Sequence, residues 1–230
     1  LCLVGSEMCI RDRNSPETSL FQKGQILYQG QMTGEIAHKT NQLIVVEGYM
    51  AVISLAEFGI SNAVAPLGTA LTERQIRELW KFSNEPIICF DGDSAGMRAA
   101  ARASDRLLPM LEPGFSARFA SLPPGEDPDD IVRRGGANNF RELLETSTGL
   151  SDFFWETEKS NGSLDTPEKQ AAFFKRIRKR VGEIKNQTVR EAYKDSIEAK
   201  IINFRASMRA VTTGTEGPYN GHSRFNSYKP

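Results

Sequence analysis

Three carboxylates stand where short apolar runs stop. Glu47 follows Leu43-Ile44-Val45-Val46, and Asp91 and Asp93 follow Ile87-Ile88-Cys89-Phe90. An apolar run ended by an acid and a glycine reads as a buried parallel strand that delivers a carboxylate to the carboxyl edge of a sheet. In open α/β sheets, ligands bind at that edge. Carboxylates gathered there must be neutralised by a cation or take up protons. A hard divalent ion is the simplest neutraliser, because Mg²⁺ sites use one or two carboxylates completed by water and substrate phosphates. Taken alone, Asp91-Gly92-Asp93 would read as a turn or a helix N-cap. The preceding strand and the second strand-to-acid junction at Glu47-Gly48 favour the site.

The elements that must position these acids follow an α/β rhythm. Short strands are predicted at 26–28, 43–46, 62–65, from Pro86 to Asp91, and at 116–121. A weak surface helix is predicted over 31–41. An apolar stripe of Tyr49, Val52, Ile53 and Ala56 gives a helix ended by Gly59. Thr72 with Gln75 three positions on is a capping box for a helix reaching about Phe82. Asp93 or Ser94 caps a helix from about Ala95 to Leu108, on which Arg98, Arg102 and Arg106 form a basic face expected to be solvated. Gly125-Glu126-Asp127-Pro128-Asp129-Asp130 brings a second acidic group, which can cap the next helix and also face the site. After Gly136 strands are expected to disappear, leaving helices near 137–146, 149–159, 167–182 and 186–207. The third carries a Phe173, Phe174, Ile177, Val181 stripe and a basic opposite face, expected to be solvent surface.

Four blocks occur in order: Val45-Val46-Glu47-Gly48-Tyr49-Met50, Ala65-Pro66-Leu67-Gly68-Thr69-Ala70-Leu71-Thr72, Phe90-Asp91-Gly92-Asp93-Ser94-Ala95-Gly96, and Gly125 to Asp130. Together they resemble the TOPRIM domain of bacterial DnaG-type primases, over about residues 14–150 and more loosely to about 205. The resemblance implies an α/β fold, with a TOPRIM-type mostly parallel sheet flanked by helices and followed by an all-helical subdomain. It divides the chain into a lead-in segment (14–41), a TOPRIM domain (42–135), a helical subdomain (136–207) and a flexible linker (208–230).

The resemblance also implies RNA primer synthesis. Glu47, Asp91 and Asp93 would be catalytic, and Glu47, Asp91, Asp93, Asp127 and Asp129 would hold Mg²⁺ or Mn²⁺. Asp130 is then the expected cap or a bystander. Lys23 is the candidate contact to nucleotide phosphate or template. The implied partners are single-stranded DNA template, ribonucleoside triphosphates, and a replicative helicase bound through a domain expected past the end of this chain. Zinc is implied only in an upstream domain, and the setting is a bacterial cytoplasm at the nucleoid. The rivals are another TOPRIM phosphotransferase or nuclease, and a non-catalytic DNA-binding module.

One position departs from the family pattern: Ala51 stands where the family carries an Asp, one turn past Glu47. Residues 1–13 fit nothing that follows and resemble translated sequencing-adaptor read-through, so the protein is expected to extend upstream. Composition excludes little. Lys plus Arg and Asp plus Glu both number 29 in 230 residues, so net charge neither points to nucleic acid nor excludes it. No apolar run approaches membrane-spanning length. Three cysteines without paired spacing argue against a disulfide framework or a zinc site, and Cys89 reads as core. His38 and His222 are isolated and receive no catalytic role.

Overall fold

The structure, a computed structural model, describes residues 22–40, 42–67 and 71–213. The expectations for the adaptor-like start, for Gly68-Thr69-Ala70, for His222 and for the chain after Thr213 fall outside the described residues.

The order is β1 (Leu27–Tyr28), α1 (Gly30–Thr40), β2 (Ile44–Val46), α2 (Tyr49–Glu57), β3 (Ala63–Pro66), α3 (Glu73–Phe82), β4 (Ile87–Phe90) and α4 (Ser94–Leu107). Then come β5 (Arg118–Ser121), α5 (Pro128–Glu145), β6 (Thr148–Gly149), α6 (Leu150–Ser160), α7 (Pro167–Val181) and α8 (Gln187–Thr213). The sheet order is β1-β3-β2-β4-β5-β6. The four central strands are parallel, and β1 and β6 close the edges antiparallel. The mostly parallel sheet expected from the sequence is therefore present.

Side chains alternate across the sheet with the two-residue period of a strand. Leu43, Val45, Ile88, Phe90 and Phe119 join a cluster with α3 and α4 that continues into Phe154, Phe173, Ile177 and Ile197 of the last three helices. Ile44, Val46, Cys89 and Ala120 face the other way, packing with Val52 and Leu55 of α2 and Ile131 and Phe140 of α5. Burial of each large side chain stabilises the fold by about 1.5–3 kcal/mol. The face covered by α2 and α5 is the one that bears on the acids.

Local expectations hold at several ends. Thr72 Oγ1 accepts from Gln75 N, and Gln75 Oε1 accepts from Thr72 N, closing the capping box. Pro167 starts α7, with Thr166 as its N-cap. Three features differ from the sequence reading. Strands do not end at Gly136, because Thr148–Gly149 pairs with β5, and a two-residue strand leaves no periodic signal. The helix before it runs from Pro128, kinked at Gly136. The last helix reaches Thr213 rather than about 207, since Ser207-Met208-Arg209-Ala210 contains no breaker.

The basic faces are also less solvated than expected. Arg106 turns inward and donates to the Leu71 carbonyl, while Arg98 and Arg102 are exposed. On α7, Arg176 and Arg180 converge on buried Glu158 at 2.7 and 3.0 Å, and Arg178 pairs with Glu198. Those acids lie on other helices, so helix periodicity alone could not pair them.

Candidate active site

Parallel pairing of β2 with β4, with Val46 beside Cys89, sets the two strand ends next to each other. Glu47 and Asp91 are the first or second residues beyond that pair. The loop after β4 is then tied to the loop after β5. Gly92 N donates to the Glu126 carbonyl at 2.9 Å, and Gly125 N donates to the Gly92 carbonyl at 3.0 Å. The approach leaves no room for side chains. A Cβ on Gly92 would lie 2.0 Å from the Pro123 carbonyl oxygen, and one on Gly96 would lie 2.1 Å from the Asp91 carbonyl oxygen. The glycines of the motif therefore let two loops and a helix start close on Asp91.

Asp93 caps α4: its Oδ1 accepts from Ala95 N at 2.8 Å and Gly96 N at 2.7 Å. Asp127 caps α5, accepting from Asp130 N at 2.9 Å, while Asp130 Oδ2 accepts from Asp127 N. Here the sequence reading needs correcting. Asp130 is expected there as cap or bystander, but the residue just before Pro128 is the N-cap, and Asp130 is its capping-box partner three positions on. Asp129, in the first turn, accepts from Ser54 Oγ and from Arg133 Nε at 2.7 and 2.8 Å.

Glu47, Asp91, Asp127 and Asp129 line one cleft of about 330 Å³, together with Ala51, Ser54, Glu57 and Arg133. Asp93 stands beside it, close enough to act on Asp91 through its charge. Burial pushes the Asp91 carboxyl up to about 6, with further contributions from Glu47, Asp127 and Asp93. Hydrogen bonds from Arg133 and then Ser54 hold Asp129 below its usual range. Glu47 Oε2 is buried without a hydrogen-bond partner. Cys89, beneath Asp91, is buried and its thiol is pushed up to about 12 by burial and then by Asp91, in keeping with a core role.

A divalent cation fits this donor set. An unpartnered buried carboxylate oxygen is costly unless something binds it, and its charged neighbours disfavour a second anion. Among the described residues no three acidic, His or Cys side chains close on one point.

Lys23 lies elsewhere. It opens a 3-10 turn, Lys23–Gln25, whose first carbonyl accepts from Gln75 Nε2, and it does not line the acid cleft. Sequence reasoning missed Ser54, Glu57 and Arg133. Arg133 had a readable signal, four residues after Asp129 on the same helix. Ser54 and Glu57 had none, because their relevance depends on α2 packing against α5.

Comparisons with known proteins agree with this geometry. A family model described as Toprim-like matches residues 44–132. The DNA primase of Legionella pneumophila is 47% identical over 154 residues, 67% of this chain and 27% of that protein. A solved structure of the DnaG catalytic core superimposes with TM-score 0.75 at 37% identity, over 81% of this chain and 60% of that one. The chain belongs to the bacterial DnaG-type primases.

A DnaG primase catalytic domain bound to single-stranded DNA matches with TM-score 0.73 at 37% identity, over 80% of this chain and 60% of that one. A second family model, the DnaB-helicase binding domain of primase, matches residues 151–200. It therefore falls on α6, α7 and the first half of α8, inside this chain, whereas the sequence reading set the helicase-binding part past its end. Bundled helices give little periodic signal to tell a docking module from a packing subdomain. The chain spans about a third of the length of the curated primases it matches, from 27% to 35% in different relatives.

Proposed function

We propose that this chain supplies the catalytic centre of a DNA primase that makes short RNA primers on a single-stranded DNA template. The 3′-hydroxyl of one ribonucleotide attacks the α-phosphate of the next ribonucleoside triphosphate, and pyrophosphate leaves. The observation that carries this reading is the buried, unpartnered Glu47 Oε2 in a cleft shared with Asp91, whose proton affinity is raised by burial and by Glu47.

A Mg²⁺ or Mn²⁺ ion bound there supplies charge neutralisation for the attacking hydroxyl and the leaving oxygens. Glu47, Asp91, Asp93, Asp127 and Asp129 are the proposed metal-holding acids, divided between two ions so that no three need close on one, and Glu47 is also proposed to accept the hydroxyl proton. Asp93 and Asp127 each commit one oxygen to a helix cap, which fixes their orientation and leaves the other oxygen open. Positioning and charge neutralisation then dominate, since phosphoryl transfer leaves little covalent work for protein groups. Lys23 is proposed to contact nucleotide or template from outside the cleft.

Template binding is proposed to be largely to phosphates and so sensitive to salt. The 151–200 match supports a helicase as partner of the helical part. We take the catalytic part as 42–135 and the mainly helical part as 136–213, with β6 of the latter paired to the sheet. A bacterial cytoplasmic setting is proposed. Among the described residues no helix is long and apolar enough to cross a membrane.

The test is template-dependent ribonucleotide incorporation, with this chain and its Ala51→Asp variant set in otherwise intact primase. Incorporation that needs Mg²⁺ or Mn²⁺ and is lost in Asp91→Asn/Asp93→Asn supports the reading. Incorporation unaffected by that double change, or DNA cleavage without nucleoside triphosphates, would overturn it.

A further inference from the structure

The wall of the cleft formed by α2 carries Ala51 and, one turn on, Ser54. Ala51 offers no oxygen. Ser54 is only 7% exposed, and its hydroxyl crosses to the neighbouring helix to donate to Asp129 Oδ1. Arg133 Nε reaches the same carboxylate from one turn along α5, at 2.7 Å from Oδ1 and 2.8 Å from Oδ2. An ionised carboxylate has about four acceptor positions. Two hydrogens engage it, the Ser54 hydroxyl at Oδ1 and the single Arg133 Nε hydrogen shared between both oxygens, so Oδ2 is the less engaged oxygen and keeps an acceptor position open.

The two donors are not equivalent. The Arg133 side chain is 60% exposed and lies on the same helix as its partner. Exposed pairs of that kind hold a carboxylate weakly. Ser54 is short, buried and anchored on α2, the helix that follows directly from Glu47-Gly48. Its bond therefore fixes Asp129 relative to the helix that begins two residues after Glu47. Without the hydroxyl, the Asp129 carboxylate can turn with Arg133 toward solvent.

We propose that Ser54 is a positioning residue of the cation site: with Arg133 it pins Asp129 so that one Oδ2 lone pair faces a cleft whose α2 wall, at Ala51, supplies no ligand. This rests on the reading of the cleft as a divalent-cation site. It assigns Asp129 a monodentate role and gives α2 a part in metal binding through a hydroxyl on its second turn. It also separates Ser54 from a plain helix-packing contact, which would affect melting but not cation affinity through Asp129.

The experiment is Mn²⁺ binding followed by electron paramagnetic resonance, on the full chain and on Ser54→Ala, Ser54→Thr, Asp129→Asn, Ser54→Ala/Asp129→Asn and Asp91→Asn, with a thermal melt of each. Alanine favours helix over serine, so Ser54→Ala is expected to stay folded. Outer-shell partners of metal sites are worth about 10–100-fold in affinity. Ser54→Ala is expected to weaken Mn²⁺ about tenfold, Ser54→Thr to retain affinity within about threefold, and the double variant to bind like Asp129→Asn alone. Wild-type affinity in Ser54→Ala, or losses that multiply in the double variant, would overturn the role of Ser54. If Asp91→Asn weakens Mn²⁺ while Ser54→Ala does not, only the positioning claim falls. If Asp91→Asn also binds like wild type, the cation site falls with it.

Discussion

Replacing Asp91 with Asn should stabilise the metal-free protein while abolishing its proposed chemistry. Asp91 is half-buried among acids, and its carboxyl is pushed from 3.8 up to about 6, first by burial and then by Glu47. A rise of about two units corresponds to about 3 kcal/mol if fully felt, at about 1.4 kcal/mol per unit. Solvent reaches the side chain, so about 1–2 kcal/mol is the realistic cost. The pH dependence has a fixed sign. Below about pH 3 the carboxyl is protonated in folded and unfolded chains alike, and the charge costs nothing. Between about pH 3 and 6 the unfolded chain releases its proton while the folded chain retains it, so wild type loses stability relative to the variant. Above about pH 6 the full cost remains.

Urea unfolding of wild type and Asp91→Asn without divalent ions, at pH 3 and at pH 8, measures the difference directly. The variant should match wild type at pH 3 and exceed it by about 1–2 kcal/mol at pH 8. For a chain this size that is roughly 2–8 °C in Tm. Added Mg²⁺ should raise wild type and leave the variant nearly unchanged. An advantage for Asn that is equal at both pH values would place the effect in packing and refute the electrostatic reasoning.

Three further outcomes follow from packing. Gly96→Ala puts a Cβ against the Asp91 backbone, so thermal melts should show a loss of roughly 1–3 kcal/mol and Mn²⁺ titration should show weakened binding. Glu158→Ala leaves Arg176 and Arg180 facing an empty buried site. It should cost about 2–4 kcal/mol by urea unfolding, toward the lower end of the range for broken buried pairs because Arg180 keeps Asp105. Thr72→Ala removes the acceptor for Gln75 N and the bond to the Gly24 carbonyl. Its cost should be about 1–2 kcal/mol in the same assay, with little effect on the cleft.

What was legible in the sequence was local. Apolar runs stopped by Glu47 and by Asp91 announced strands and the edge where they end, and Thr72 with Gln75 announced a helix start. What was illegible depended on contacts between distant segments. β6 is two residues held by its partner strand. Glu158 draws arginines from another helix, so a basic face that reads as solvent surface is partly internal. The Ser54–Asp129 bond joins residues 75 positions apart. Asp127 was separable from Asp130 by Pro128, which marks the first helical position as Pro167 does after Thr166, a signal the sequence reading did not use. The order of motifs carried the family, while the division of labour among the acids needed the fold.

The most direct test of the central claim is a crystal soaked in Mn²⁺, with data collected at the manganese absorption edge. The account predicts an anomalous peak in the cleft, with Asp91 and Glu47 oxygens about 2.1 Å from the ion, a distance typical of small divalent cations. A cleft without a peak at millimolar Mn²⁺, or a peak only at acids away from Glu47 and Asp91, would contradict it.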